Sequence, residues 1–410
     1  MGHRDGPRAD QKSIRSGTSV WKAIGAAPIA FAPLRDRMTC EIAIVGGGIT
    51  GGLIGHSLAR AGFDVVLVDK GDVGAGSTAA STGLLQYEID TPLLDLISKV
   101  GETHAVRAYR RGQWAIDALD QLTQGLKIDC GFTRRSTLCL ASSEADAVEL
   151  RREHECRRHF GFDVHWISRA ELREVWRLDS PGALHSTGDG QVDPYRLAQG
   201  LLAAAVSDGL RAFSSSEVLD ASELASSVTL QTQAGEIVAD KVVFCTGYFP
   251  LPWVPKGTTT LNSTYAACSQ PIPPVPGWSD GCLIWETARP YFYARQTPEG
   301  RAIIGGEDTS FSRDHFSDEL LTLKGELLAN RFEELFPGTS FPIEFLWAGT
   351  FAETRDGLPY IGVLPGHERL YAALGYGGNG ITFSTIAARL IADLLSGRVN
   401  EDMAIFSFDR

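Results

Sequence analysis

The 410-residue chain is 43% hydrophobic and 9% aromatic, ordinary for a globular protein and enough for two domains with cores of their own. A net charge of −12 argues against nucleic acid as a partner, because neutralising phosphate with Lys and Arg dominates such affinity. No apolar run approaches the length of a membrane span, and seven cysteines scattered without a C-x-x-C fit a reduced, cytoplasmic chain.

Met1 to Ser19 is polar and rich in Arg and Gly, and reads as a disordered tail. Trp21, Ile29 and Phe31 then predict an arm packed on the first domain. The intervening apolar stretch is interrupted by Pro28 and Pro33 and begins too late for a signal peptide. Met38 as the true start is a further reading, since the first strand begins just after it.

The strongest local signal follows. The apolar run Ile42 to Val45 meets a glycine cluster in which Gly46, Gly48 and Gly51 satisfy G-x-G-x-x-G. An apolar segment of helical character, Leu53 to Ala61, is closed by Gly62, and Val65 to Val68 ends at Asp69. Strand, tight turn, helix, strand and acid within about 30 residues make the adenine-dinucleotide fingerprint. Gly46 allows the turn, Gly48 lets backbone approach a pyrophosphate, and Gly51 lets the helix pack on the strand. The helix start offers free N–H groups and the positive end of a dipole. Asp69 can accept hydrogen bonds from a ribose and would repel the extra phosphate of NADP.

Gly74 to Gly83 is a loop of small and hydroxyl residues that lets donors come close to a cofactor; the alternative is a surface linker. The segment Leu84 to Asp90 is more polar than an internal strand needs. Ala105 to Leu126 predicts a core-facing helix, Ser136 to Ala141 a strand, and Glu144 to Phe160 a charged amphipathic helix. In that last helix His154 and His159 stand five residues apart, about 140° around the axis, so they cannot readily share a metal. They read as solvated, and no metal site is expected.

Gly190 to Pro194 leads into a helix over Leu197 to Ala205. A hairpin-like stretch, Ser227 to Ala239, precedes Lys241 to Gly247, a strand whose C-terminal end at Thr246-Gly247 faces the ligand crevice of an open α/β sheet. Near the C-terminus the strand Leu370 to Leu374 runs into Gly375-Tyr-Gly-Gly-Asn-Gly-Ile-Thr382, which opens a helix over Ser384 to Leu395. A second glycine-rich helix start is idle in an NAD-dependent dehydrogenase, but suits a cofactor with a second polar end, such as the isoalloxazine of FAD.

From about residue 39 to 400 the chain resembles the flavin amine and D-amino-acid oxidoreductases, which include glycine oxidase, sarcosine oxidase and D-amino-acid dehydrogenase. The motifs come in the expected order: Val45 to Gly51, the Gly-Ser-Thr loop at 76–78, Val192-Asp-Pro194, Val243 to Gly247, Tyr293-Ala-Arg295 with Ile304-Gly-Gly306, Asp356 to Pro359, and Gly377 to Thr382. The Trp21 arm is similar to that of bacterial members near the glutamylputrescine oxidases, which weakens the Met38 start.

The resemblance implies an α/β fold: a Rossmann-like FAD-binding domain in three pieces, 39–90, 190–260 and 346–410, after a tail and arm over 1–38. Segments 91–189 and 261–345 would build an α+β substrate domain on a large mixed β-sheet. FAD contacts are implied first at Gly46, Gly48, Ile49, Thr50 and Gly51, then at Asp69 and Lys70. The loop would add Gly76, Ser77, Thr78, Ser81, Thr82, Gly83 and Leu84, and Val218 would meet the adenine side. Cys245, Thr246, Gly247 and Asp356 follow, and the flavin N1–C2=O edge would meet the helix start at Gly378, Asn379, Gly380, Ile381 and Thr382. No Cys or His in the loop suggests a covalent flavin attachment.

The implied reaction is oxidation of a C–N bond of an amine or amino acid, by hydride transfer to flavin N5 and hydrolysis of the imine, with oxygen or another acceptor taking the electrons. Tyr87, Tyr293 and Arg295 are the candidates for the substrate face. The chain departs from the family at one place. Amino-acid oxidases often carry Gly-Leu-Arg-Pro after the tryptophan, the Arg gripping the substrate carboxylate. Here the run is Trp347 to Arg355, with Phe351 where that Arg would stand. Either Arg295 or, second, Arg355 grips the carboxylate, or the substrate has none. An NAD-dependent dehydrogenase and a catalytically inactive FAD-binding accessory subunit are the alternative functions.

Overall fold

The computed structural model describes residues 15–25, 27–248, 251, 254, 257–312 and 317–410. Of the tail expected over 1–19, residues 1–14 lie outside the described residues.

The fingerprint folds as read. Strand Arg37–Val45, helix Ile49–Arg60 and strand Val65–Val68 form a βαβ unit with Ile42 paired in parallel to Val65 and Val45 to Val68. All four residues of Val65–Val68 are buried, as an apolar run between two helical or sheet layers requires. Gly46 has φ 111°, and a Cβ there would stand 2.3 Å from the Cys245 carbonyl oxygen. A Cβ at Gly51 would meet the Gly46 carbonyl oxygen at 1.9 Å, so the helix reaches the strand only because both are glycine.

Around this unit grows an eight-stranded sheet. Glu236–Phe244 pairs in parallel with Arg37–Val45 on one side, and Leu370–Leu374 follows it; Arg211–Phe213 flanks Val65–Val68 on the other. Helices Ile49–Arg60, Pro194–Ser207 and Gly380–Leu395 pack together on this sheet. The last begins four residues before the expected Ser384, because the glycine-rich turn itself supplies its first residues.

The second sheet has ten strands and is mixed, parallel where Leu283–Glu286 joins Thr133–Leu140. From its edge strand Arg15–Gly17 the order runs Ile343–Glu353, Thr260–Ser269, Ala302–Ser310, Phe292–Gln296, Leu283–Glu286, Thr133–Leu140, Gly182–Gln191 and Leu84–Leu85, with Val164–Ser168 also paired to Gly182–Gln191. The expected boundary at residue 346 falls inside the strand Ile343–Glu353. Helix Asp318–Leu335 packs on the central strands, where Tyr265, Phe292, Ala294 and Ile304 form a core with Leu328 and Phe332. Alternation along the strands turns Thr264 and Tyr293 the other way, toward the dinucleotide unit.

The arm begins earlier than its composition suggests. Arg15–Gly17 is a strand on the edge of the ten-stranded sheet, opposite Trp347 to Gly349, although it was expected to belong to the tail. Helix Val20–Ile24 buries Trp21, whose indole donates to the Ser81 carbonyl at 2.7 Å. Edge-strand pairing needs only backbone groups, so a polar segment qualifies. The seven cysteines form no disulfide. Among the described residues no helix is long and apolar enough to cross a membrane, and no group of His, Cys, Asp and Glu could hold a metal ion.

Candidate active site

One cavity of about 770 Å³ runs between the two sheets, from the C-terminal ends of the parallel strands to the inward face of the ten-stranded sheet. Its dinucleotide end is lined by Gly46, Gly48, Ile49 and Thr50, by Asp69 and Lys70, and by Val218. Asp69 is held in place by two backbone donors, Gly47 N–H at 2.6 Å and Gly71 N–H at 2.8 Å. Burial raises its carboxyl pKa, and those two N–H groups oppose the shift.

The loop after Asp69 is not irregular throughout: Ser77–Ala80 is one helical turn. Two indoles hold its end, Trp21 through the Ser81 carbonyl and Trp347 through the Ala80 carbonyl at 2.8 Å. Gly76, Ser77, Thr78, Ser81, Thr82 and Leu84 lie on the cavity wall, and Thr78 Oγ1 accepts from Ile49 N–H at 2.9 Å. On the facing side stand Cys245, Thr246 and Gly247, then Gly378, Asn379, Gly380 and Ile381. The Asn379 amide donates to the carbonyls of Gln86 at 3.0 Å and Glu88 at 2.8 Å. Thr50 and Ser384 hydroxyls meet at 2.8 Å and tie the two glycine-rich helices together near their starts.

Several expected site residues are elsewhere. Gly51 packs helix on strand, and Gly83 packs on the Val192 carbonyl; neither reaches the cavity wall. Thr382 donates to the Gln86 carbonyl at 3.1 Å, behind the wall. Asp356 was expected at the cofactor but is paired with Arg410, through Nε at 2.8 Å and Nη2 at 3.0 Å, away from the cavity. The guanidinium brings its carboxyl below the usual range against the cost of burial.

Two of the three substrate-face candidates are corrected. Tyr87 is 1% exposed and stacks on Phe162 at 6.0 Å, with Tyr109 edge-on at 6.2 Å, so its ring belongs to the core. Arg295 is 2% exposed, and its Nη1 donates to the carbonyls of Thr82 at 3.1 Å, Gly83 at 2.9 Å and Val192 at 2.8 Å. Both belong to segments near the cavity, but neither is on its wall: the strand pleat aims Arg295 away from it, and Tyr87 lies in a bend past the strand Leu84–Leu85 with its ring in the core. Burial lowers the Arg295 pKa to about 10. Arg355 is exposed and also off the wall. Tyr293 is on the wall, its ring lying over Gly305, and burial pushes its phenol up to about 12.

The substrate end holds residues that sequence reading did not single out. Asp90 lies beside Gly378, whose N–H donates to its Oδ2 at 3.2 Å. Asp308, next to Thr264, has a buried Oδ1 with no partner, and burial pushes its carboxyl up to about 6. Tyr248, Trp285, Tyr291 and Phe351 give this end aromatic walls. Tyr248 donates to the Gly377 carbonyl at 3.1 Å. Behind the wall Arg157 bridges Glu153 and the wall residue Glu88, each at 2.6 Å, and Glu153 accepts from Leu93 N–H at 2.7 Å and Leu94 N–H at 2.9 Å. Thus the helix Glu144–His159, expected to be charged and amphipathic, buries Glu153 and Arg157, and Glu153 anchors the start of the earlier helix Leu93–Val100.

An FAD-dependent class of protein follows from the fold and this cavity together. The chain belongs to the DAO family of FAD dependent oxidoreductases, whose model matches residues 41–394. It is 29% identical to glycine oxidase of Geobacillus kaustophilus (strain HTA426) over 387 residues, which covers 90% of this chain and 97% of that one. It is 27% identical to gamma-glutamylputrescine oxidoreductase of Escherichia coli (strain K12), covering 93% and 89%. The crystal structure of glycine oxidase from Geobacillus kaustophilus superposes with a TM-score of 0.76 at 26% identity, over 91% of this chain and 99% of that one. The cofactor is therefore FAD, and neither the NAD-dependent dehydrogenase nor the inactive accessory subunit gains support.

Proposed function

We propose that this enzyme oxidises a C–N bond of an amine or amino acid. The observation that carries the reading is the single cavity that joins a dinucleotide cradle to an aromatic, carboxylate-bearing chamber beneath a second glycine-rich helix start. The residues present fit FAD. The second helix start has no side-chain cap from Asn379, and at the first, where Gly48 has no side chain, Thr78 Oγ1 takes only the Ile49 N–H; Thr50, Gly380 and Ile381 of the two first turns line the cavity. A Cβ at Gly76 would meet nothing within 4 Å, which leaves the backbone open to a ligand, and Thr246 Oγ1 is buried on the wall without a protein partner.

Gly46, Gly48, Ile49 and Thr50 would hold the pyrophosphate with Ser77 and Thr78, while Asp69, Lys70 and Val218 would hold the adenosine. Thr246, Gly247 and the helix start at Gly378 to Ile381 would meet the flavin. FAD, when bound, would supply the two-electron oxidant, taking hydride from the substrate α-carbon at flavin N5, and the imine would then be hydrolysed. The helix start at Gly380 would favour negative charge on a flavin ring held there. The chain's remaining task is to position a neutral amine and exclude water, which the aromatic walls do without a strong base.

The relatives named glycine oxidase and gamma-glutamylputrescine oxidoreductase support both substrate types. The test is anaerobic mixing of the purified yellow protein with a panel of amines and D-amino acids. Bleaching of the flavin by a member of the panel is the expected result. A flavin that stays oxidised with every compound would sink this reading. Acid precipitation should release the FAD into the supernatant, since no covalent attachment is expected.

A further inference from the structure

Position 351 sits on the cavity wall and is phenylalanine, which offers no charge to a substrate carboxylate. Arg295, the nearest substitute in sequence terms, spends its guanidinium on three backbone carbonyls. The charged groups that do reach this end are acids. Asp90 and Asp308 line it; burial raises the pKa of both carboxyls, and Asp90 and Glu353 raise that of Asp308 further. The cation whose field reaches all three carboxylates is Arg289, which is exposed and stacks on the Tyr291 ring, donating to the Tyr291 hydroxyl. Three carboxylates against one guanidinium leave the chamber short of positive charge.

Two further observations point to a ligand. Thr350 is 4% exposed and its hydroxyl, on the wall, has no hydrogen-bond partner; Asp308 Oδ1 is likewise buried and unpartnered. Buried polar atoms of this kind are normally satisfied, so an occupant with N–H donors is the natural complement. Tyr248, Trp285, Tyr291 and Tyr293 surround the same space, and aromatic faces attract organic cations.

We propose that the substrate end binds an alkylammonium group, and that the compound oxidised is an amine bearing a second positive charge remote from the reacting nitrogen and no α-carboxylate. Asp308 is its specificity-determining residue, with Asp90 as the second carboxylate. The reacting nitrogen has to be neutral, because its lone pair must stabilise the cation left as hydride departs. The charge that the carboxylates hold must therefore sit on another nitrogen. This inference rests on the C–N oxidation reading, and the experiment separates the two.

Holoenzyme is mixed anaerobically with α,ω-diamines from diaminopropane to diaminohexane, with butylamine, with 4-aminobutyrate and with glycine. Binding of hexamethonium, a bis-quaternary cation without a lone pair to lose hydride, is followed separately by the shift of the flavin spectrum. A diamine should bleach the flavin at a concentration at least about tenfold below butylamine, about 1.4 kcal/mol of selectivity. Glycine and 4-aminobutyrate should trail both. Asp308→Asn should remove the tenfold preference with the flavin-to-protein ratio unchanged. Should that variant fail to fold, Phe351→Arg serves instead, and is expected to weaken diamines while sparing 4-aminobutyrate. Glycine or 4-aminobutyrate matching the diamines overturns the proposal, as does a preference that survives both substitutions. If no compound bleaches the flavin but hexamethonium binds in an Asp308-dependent way, the oxidation reading falls and the cation site stands. Absence of both bleaching and a hexamethonium shift overturns the cation site.

Discussion

The dinucleotide end of the cavity and its substrate end are built by different means. At the first, Gly46, Gly48, Ile49, Thr50 and the acid at Asp69 line the cavity from within one βαβ unit. At the second, Thr264, Trp285, Tyr293, Asp308 and Phe351 arrive from five strands brought together by sheet register, and Asp90 and Tyr248 from loops. The first is local and depends on the absence of side chains. The second is non-local and depends on which way each side chain points. A change at the first should therefore act on FAD and be blind to substrate, while a change at the second should do the reverse.

The largest effect is expected at Gly48. A Cβ there already stands 3.0 Å from Thr78 Oγ1, and a branched side chain would also fill the space of the pyrophosphate. Gly48→Val should weaken FAD at least about a thousandfold, roughly 4 kcal/mol, and leave colourless protein after dialysis. Full flavin occupancy in that variant would break the assignment of this end. Asp69→Ala should be milder, about 1.5–3 kcal/mol or roughly tenfold to a hundredfold in FAD affinity, with the apparent KM of every substrate unchanged at saturating FAD. Because Asp69 also holds Gly47 and Gly71 N–H, part of that loss is the loop's own order.

Arg295 tests the comparison from between the two ends. Arg295→Leu leaves three buried carbonyls without their donor and should cost about 1–3 kcal/mol of unfolding free energy in denaturant titration. An amino acid and its decarboxylated amine should suffer alike, because the guanidinium touches neither. A selective loss of the amino acid would restore Arg295 to the substrate face.

The smallest effect is a pH dependence. Burial pushes the Asp308 carboxyl up to about 6, with Asp90 and Glu353 adding to the shift and the Thr264 hydroxyl and Arg289 opposing it. A group of this pKa is mostly ionised at about pH 7 and mostly neutral at about pH 5, so hexamethonium, whose charge does not titrate, should bind about tenfold more weakly at the lower pH. Asp308→Asn should flatten the profile. An unchanged affinity across this range in the wild-type protein would exclude Asp308 from the cation's surroundings.

The same contrast decides how much of the molecule was legible in its sequence. Glycines in a fixed spacing, an apolar strand on either side and an acid at the strand end carry their meaning within about thirty residues, so the fingerprint and the second glycine-rich helix start were readable. The charge of the helix Glu144–His159 concealed the buried Glu153–Arg157 pair, because a dense charge pattern ordinarily marks a solvated face. The pairing of Asp356 with Arg410 was not legible, because 54 residues separate them and no local pattern joins them.

The sequence by itself determined the dinucleotide unit, the flavin family and the residue types available at the site, since local backbone conformation and short-range spacing follow from consecutive residues. Only the tertiary structure decided that Tyr87 and Arg295 turn into the core while Asp308 and Phe351 face the cavity. On a strand one step of register exchanges the two faces, and register is set by partners far away in the chain, so the sign of the charge that meets the substrate is a property of the folded sheet.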